Sequence, residues 1–311
     1  MEQTYLDQFI THLRAQDRSR HTVDGYRRNV EWFFAWLQEQ TGRDIPLGEV
    51  TTFDVQRYRD HLMDAGRKPA TINRRIAALR AFFAWAVDAG HIAASPAAGI
   101  KFVRHERRAP KGLSKQQVYL LQRQAAARRQ LAEAQAGRDA DGPQIVTPAV
   151  VLARRDEAIL SLLVYTGLRV SELVSLRVRD VVLNARSGKV CVYGKGRGKK
   201  YREVPLHAEA RKALQAYLEV RPESDDDHLF LGQRGALRER GVQFRLAEIG
   251  EEAGVKVTPH VLRHTFATRL LREVGVDLVT TSTLLGHESV ATTAIYTQPT
   301  EADLEEAVER L

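Results

Sequence analysis

The chain has 311 residues, enough for two domains that each bury a core. Its 47 Lys and Arg against 39 Asp and Glu give a net charge of +8, a weak pointer to a polyanionic partner. No apolar run approaches the roughly 20 residues that span a bilayer, and the polar start with Glu2 and Asp7 is unlike a secretory signal. A single cysteine, Cys191, excludes an internal disulfide and a cysteine metal cage. The cytoplasm is the expected compartment. Cys191 lies in an apolar strand-like run and is expected to be a buried small hydrophobe.

The first hundred residues read as helix. After Ser19 and Thr22, the apolar positions Val23, Tyr26, Val30, Phe33, Phe34 and Leu37 recur at helical spacing. Thr51 or Thr52 caps a further helix through Phe53, Tyr58, Leu62 and Met63. Pro69 then precedes Ile72, Ile76, Leu79, Phe82, Phe83 and Ala86, with Arg74, Arg75 and Arg80 on the other face. The aromatic stripes are core. The three arginines face either DNA phosphates or water.

From Lys101 to Arg129 nine cations, including Arg107, Arg108 and Lys111, are opposed by Glu106 alone. Such a run is a solvated face or a strand that lies along a phosphate backbone. Ala109-Pro110-Lys111-Gly112 breaks the periodicity in its middle and reads as a linker. The expected division is a helical domain over 1–107, a basic linker over 108–112 and a second domain over 113–311.

The second domain reads as mixed. Ser114 is the expected N-cap of a helix, and Gln130 to Thr147, rich in alanine and then glycine, reads as an extended insertion. Arg155 to Tyr165 returns to helical spacing and ends at Gly167. Short strands follow at Val181–Leu183, Val190–Tyr193 and Tyr201–Val204. The last two flank a glycine-punctuated, cationic hairpin tip that carries Lys195, Arg197, Lys199 and Lys200. The remainder reads as helix.

Chemistry concentrates late in the chain. His260 and Arg263 lie three residues apart and share a helix face, Gly286-His287 reads as a helix end presenting an imidazole, and Tyr296 follows. Histidines, an arginine and a tyrosine suit phosphoryl transfer with a side-chain nucleophile. Arg169 stands at a helix start, with Glu172 three residues on and in reach to hold its guanidinium. Arg169 and Arg263 together supply two planar forks for one phosphodiester. Lys195 is a proton donor to a leaving oxygen or a solvated turn lysine. An unperturbed phenol titrates near 10, so a tyrosine nucleophile needs a base or strong positive charge nearby. Each donor aimed at developing charge contributes roughly 3–4 kcal/mol. The motifs offer no carboxylate cluster, so catalysis without a metal or other cofactor is expected.

Thr-Gly-Leu-Arg169-Val-Ser-Glu-Leu, Gly-Lys195-Gly ahead of Val-Pro-Leu, His260-Val-Leu-Arg263-His264, Leu-Leu-Gly-His287 and Ile-Tyr296-Thr occur in an order that resembles the tyrosine recombinases of the phage-integrase and Xer type. The resemblance spans essentially the whole chain. It implies a mainly α protein with a small antiparallel β-sheet: a helical, SAM-like core-binding domain and an α+β catalytic domain. It further implies that Tyr296 attacks the scissile phosphate to leave a 3′-phosphotyrosyl bond, while Arg169 and Arg263 hold the phosphate. Lys195 protonates the 5′-oxygen, His260 serves in acid–base work, and His287 hydrogen-bonds the phosphate or assists proton transfer. Glu172 and His264 support them.

The implied partner is double-stranded DNA with paired inverted-repeat core sites, exchanged through a Holliday junction at the nucleoid. The implied assembly is a homo-tetramer joined by the C-terminal stripe Leu304, Ala307, Val308 and Leu311, or a hetero-tetramer with a related recombinase. The 130–147 stretch is longer than in the compact Xer pattern, which tilts the role away from housekeeping resolution and toward integration or excision of a mobile element, or toward a divergent Xer lineage. The competing readings are a type IB topoisomerase, a telomere resolvase and a catalytically silent DNA-binding protein of the same fold.

Overall fold

Capping chemistry sets most helix boundaries in the computed structural model, which describes residues 3–104, 112–138, 145–194, 201–287 and 293. The chain divides into two compact units, Met1–Arg107 and Arg108–Leu311.

The first unit holds α1 (Gln3–Ala15), α2 (Arg20–Thr41), α3 (Thr52–Asp64) and α4 (Pro69–Asp88). The Ser19 hydroxyl accepts from the Thr22 amide and starts α2. Thr51, rather than Thr52, caps α3, in a reciprocal pair with Asp54. Pro69 opens α4 at its first turn, where its missing N–H has no helical partner to lose. The aromatic stripes meet in one core of Phe9, Phe33, Tyr58, Phe82 and Phe83. Rings pack edge-to-face, as in Phe33 against Tyr58 with centroids 5.2 Å apart. Phe53 and Met63 depart from the expected stripe: both face solvent. The buried line of α3 is Val55, Tyr58 and Leu62, and those two fall off it.

The second unit begins with α5 (Lys115–Ala136), capped by Ser114 in a reciprocal pair with Gln117. Its length corrects the sequence reading, because the expected extended insertion is helical through Ala136. Alanine, glutamine, glutamate and arginine are strong helix formers. Arg129 and Glu133 also pair one turn apart at 2.8 Å, Ala132 is buried, and only Gly137, at φ +76°, ends the helix. Next come α6 (Pro148–Thr166) and the short α7 (Val170–Ser175). In α6, Ala158, Ile159, Leu160, Leu162, Leu163 and Val164 are all buried, which marks a helix covered on every side. It packs against α5, α8 (Ala208–Leu218), α9 (Glu239–Glu252) and α10 (Pro259–Thr268).

Strands β1 (Val181–Leu183), β2 (Gly188–Tyr193) and β3 (Tyr201–Pro205) form an antiparallel sheet in that order, with Val190 opposite both Val181 and Val204. Cys191 is half-buried rather than buried: Val190 and Val192 take the inward pleat, so Cys191 points to the other face. There its Sγ lies 3.3 Å from the Tyr201 hydroxyl. The region beyond β3 is not all helix either. A hairpin of β4 (Leu231–Gly232) and β5 (Gly235–Ala236) interrupts it. Two residues per strand are too few for an alternating pattern to register. A π-helical turn at Arg269–Glu273 and α11 (Leu278–Leu285) complete the described elements. Among the described residues no helix is long and apolar enough to cross a membrane.

Candidate active site

The site is organised around the C-terminal end of α11. The last carbonyls of a helix lack intrahelical partners and sit at the negative end of its dipole, so they attract cations. Three arginines from three elements converge there on successive carbonyls. Arg202 of β3 donates Nε to Leu284 O at 3.0 Å, Arg263 of α10 donates Nη2 to Leu285 O at 2.7 Å, and Arg169 donates Nη2 to Gly286 O at 3.2 Å. Arg263 also donates to Gly167 O at 2.6 Å, which ties it to the end of α6.

Glu172 holds two of these guanidiniums. It is buried on α7 and accepts Arg202 with both carboxylate oxygens, at 3.0 and 2.8 Å. One oxygen takes Arg169 Nη1 at 2.9 Å, and the other takes the Arg169 backbone N–H at 2.9 Å. Burial pushes its titration up, but the Arg202 bonds outweigh that together with Arg169, and the carboxyl stays below its usual range. Arg263 is buried, whereas the Arg169 side chain is 42% exposed and so can reach a ligand.

Gly286 ends α11 in the left-handed conformation, at φ +64°. A Cβ there would stand 2.5 Å from Arg202 Nη1, so the glycine lets a guanidinium lie against the backbone. Gly167 is equally constrained: at φ +60° its Cβ would meet Phe266 at 2.4 Å. His287 follows Gly286, and its Nδ1 lies 2.7 Å from the Thr293 hydroxyl. Burial, then Arg263, Arg169 and Arg202, lower its pKa to about 4. Near neutral pH it is therefore an uncharged hydrogen-bonding group among three cations.

His260 and His264 lie one turn apart on α10, with their Nε2 atoms 2.6 Å apart. His260 is exposed and His264 is buried. Partial desolvation of its ring, and then Arg263, lower the pKa of His260. Burial, His260 and Arg263 bring that of His264 down to about 4.

The structure thus brings together Arg169, Arg263 and His287, with Glu172 bracing Arg169 and Arg202, and places the His260–His264 pair on the helix that carries Arg263. Lys195 and Tyr296 lie outside the described residues. So do Arg107, Arg108, Lys111, Arg197, Lys199, Lys200 and the stripe Leu304, Ala307, Val308 and Leu311. On α4 of the first unit, Arg74 is exposed. Arg75 and Arg80 are half-buried instead. Arg75 donates to the Tyr58 hydroxyl at 3.1 Å and lies 4.3 Å over the Trp32 ring. Arg80 donates to Ile100 O and lies 4.4 Å over Phe102.

Among the described residues one group, Asp226, Asp227 and His228, has a spacing that a cation would accept. Its oxygens already serve the turn before β4. Asp226 accepts from the His228 and Ala236 amides, and Asp227 pairs with Arg177. A cleft of about 740 Å³ between α5, α6 and α8 contains none of the candidate residues. Its Arg129 and Arg154 are paired with Glu157 and Glu133.

Arg202 is the site residue that the motif reading missed. Its signal was present in strand alternation: Arg202 shares the inward phase of β3 with buried Val204, and an arginine on a core-facing phase needs a charged partner.

Residues 143–303 match the phage integrase family, and residues 6–90 match the phage integrase N-terminal SAM-like domain. A tyrosine recombinase XerC of Xanthomonas axonopodis pv. citri is 34% identical over 305 residues, covering 94% of this chain and 91% of that protein. A tyrosine recombinase XerC of Azotobacter vinelandii is 36% identical over 304 residues, covering 95% and 91%. In fold, the chain is similar to the crystal structure of XerH site-specific recombinase bound to palindromic difH substrate. The TM-score is 0.74 at 21% identity, covering 94% of this chain and 81% of that one.

Proposed function

The chain belongs to the phage integrase family of tyrosine site-specific recombinases, and on that premise we propose that Tyr296 is its covalent nucleophile on DNA. The phenolic oxygen attacks the scissile phosphorus, the P–O5′ bond breaks, and a 3′-phosphotyrosyl bond forms. Lys195 gives a proton to the departing 5′-oxygen. Arg169 and Arg263 grip the non-bridging oxygens and His287 hydrogen-bonds the phosphate as a neutral donor, while His260 takes the phenol proton. Glu172 braces Arg169. Attack by a 5′-hydroxyl from another strand reverses the step, and the covalent bond conserves the energy needed to rejoin DNA without ATP.

The observation that carries this reading is the convergence of three guanidiniums on the Leu284–Gly286 carbonyls beside an uncharged His287. Such a preorganised cluster favours a phosphorane-like charge without reorganising when the charge develops. Arginine is suited to it because its planar fork meets two phosphate oxygens at once.

The first unit serves as the core-binding domain, with Arg74 among its DNA contacts, and Arg107, Arg108 and Lys111 run along the backbone as a linker. Arg197, Lys199 and Lys200 bring the Lys195 hairpin to the duplex. The substrate is double-stranded DNA with paired inverted-repeat sites. Four protomers, either identical or shared with a related recombinase, exchange strands through a Holliday junction, and residues 301–311 join neighbours. Xer-type resolution is favoured over mobile-element integration. The XerC relatives match nearly the whole chain, and α5 absorbs the start of the stretch that set this sequence apart from the compact Xer pattern.

The test begins with mapping the bound DNA to find the site, followed by a nicked suicide substrate scored for a covalent protein–DNA adduct. Wild type should accumulate the adduct and Tyr296→Phe should form none. Equal adduct yield from both would remove Tyr296 from the reaction. Exchange between two sites, rather than relaxation of a supercoiled plasmid with no site, separates recombination from topoisomerase action.

A further inference from the structure

Two histidines stand one turn apart on α10, and only His260 has a part in the proposed strand transfer. The other, His264, is buried, and its ring crosses that of His260 at 70° with centroids 4.0 Å apart. An Nε2···Nε2 contact of 2.6 Å is a hydrogen bond, and it holds one proton: one ring donates its N–H and the other accepts with its lone pair.

The direction of that bond decides what His260 can do. If His264 donates, a neutral His260 uses its single lone pair to accept at Nε2 and carries its proton on Nδ1. It then has nothing with which to take up a further proton unless the contact breaks. If His264 accepts, a neutral His260 carries its proton on Nε2, and its Nδ1 lone pair is open. When Nδ1 takes a proton, the Nε2–H stays bonded to His264 and the bond becomes charge-assisted, hence stronger. Only the second arrangement allows proton uptake and release with the pair intact.

We infer that His264 is a positioning residue that accepts the Nε2–H of His260 and so holds the Nδ1 lone pair of His260 ready as the base for the attacking phenol. The proton balance is complete within the proposed reaction: the Tyr296 hydroxyl proton passes to His260 Nδ1 as the O–P bond forms, and it returns when the bond is reversed. Among the described residues Arg263, on the same helix, is the charged group that bears on both rings, and with desolvation it keeps both uncharged near neutral pH. A neutral His264 is the state that can accept. The inference rests on the acid–base role proposed for His260, but its first test does not depend on DNA cleavage.

That test is the tautomeric state of the two rings in the full wild-type chain near neutral pH. It is read from long-range nitrogen–proton correlations of isotope-labelled histidine and assigned with His260→Gln. His260 should be the Nε2–H tautomer and His264 the Nδ1–H tautomer. A His260 protonated at Nδ1 overturns the inference.

Cleavage of the nicked substrate gives the second test. His264→Leu, which cannot accept, should lower the rate about 10–100-fold, the range seen when a group that orients a metal-bound histidine is removed. It should also move the acid limb of the pH profile to lower pH, because the His260 imidazolium loses its acceptor. His264→Gln, whose amide oxygen can accept, should restore most of the rate and the limb. A loss in both variants with an unmoved acid limb marks His264 as merely structural. If Tyr296→Phe still forms adduct, the proposed reaction fails, while the tautomer result stands by itself.

Discussion

Arg202→Ala should destabilise the second unit severely, although Arg202 lies in none of the sequence motifs. The side chain is 11% exposed and makes two charged hydrogen bonds to Glu172, which is 8% exposed, and one to Leu284 O. Removing one partner of a buried ion pair costs about 3–5 kcal/mol, chiefly because the remaining charge stays buried. Arg169 keeps its hold on Glu172, so the lower end, about 3 kcal/mol, is expected. At about 2–4 °C per kcal/mol for a domain of this size, the unit's Tm should fall by about 6–12 °C. Differential scanning calorimetry reads it.

The pH dependence identifies the cause. In wild type the Glu172 carboxyl is held below its ordinary value, so its contribution is present above about 4.5 and is lost as pH falls through the folded value. In Arg202→Ala, burial acts with less opposition and the carboxyl titrates higher. The gap between variant and wild type should therefore narrow as pH is lowered below 5. Arg202→Lys, which keeps a charge but loses the fork, should fall between them. A Tm change of under about 2 °C for Arg202→Ala would show that Glu172 does not depend on Arg202.

Gly286→Ala should cost about 1–2 kcal/mol for the left-handed backbone alone. It should cost more because the new Cβ stands 2.5 Å from a guanidinium that Glu172 already pins. Urea midpoints measure this, and a variant within about 0.5 kcal/mol of wild type would refute the close approach. His264 and His287 have folded pKa values of about 4 against 6.5 when unconstrained, so the unfolded chain binds more protons between those values. Their stability contribution is complete above about 6.5 and declines as pH falls toward 4. Urea midpoints taken from pH 7.5 to 4.5 should decline, and His287→Gln should decline less steeply. An unchanged slope in the variant would mean that His287 is not held neutral by its surroundings.

Much of this architecture was legible from local chemistry. Ser19, Ser114 and Pro69 mark real helix starts, and Gly167 and Gly286 mark real ends, because caps and left-handed turns depend on neighbours within a few residues. The three strands of the main sheet and the aromatic core of the first unit follow from periodicity. The errors arise where several weak local terms compete. The glycines beyond Gln130 to Ala136 favour an extended segment, yet helix-forming side chains and the Glu133 pairs carry α5 through.

By itself, then, the sequence determined the elements, the order of the motifs and the residue types available for phosphoryl transfer, all of which are properties of short segments. Tertiary structure alone decided that Arg169, Arg202 and Arg263, drawn from distant segments, would share the end of one helix. The reason is physical: the unpaired carbonyls of Leu284, Leu285 and Gly286 exist as a cation-attracting cluster only once α11 has formed and packed. Burial then supplies what no motif contains, a neutral His287 and a His264 whose hydrogen bond can set the state of its neighbour.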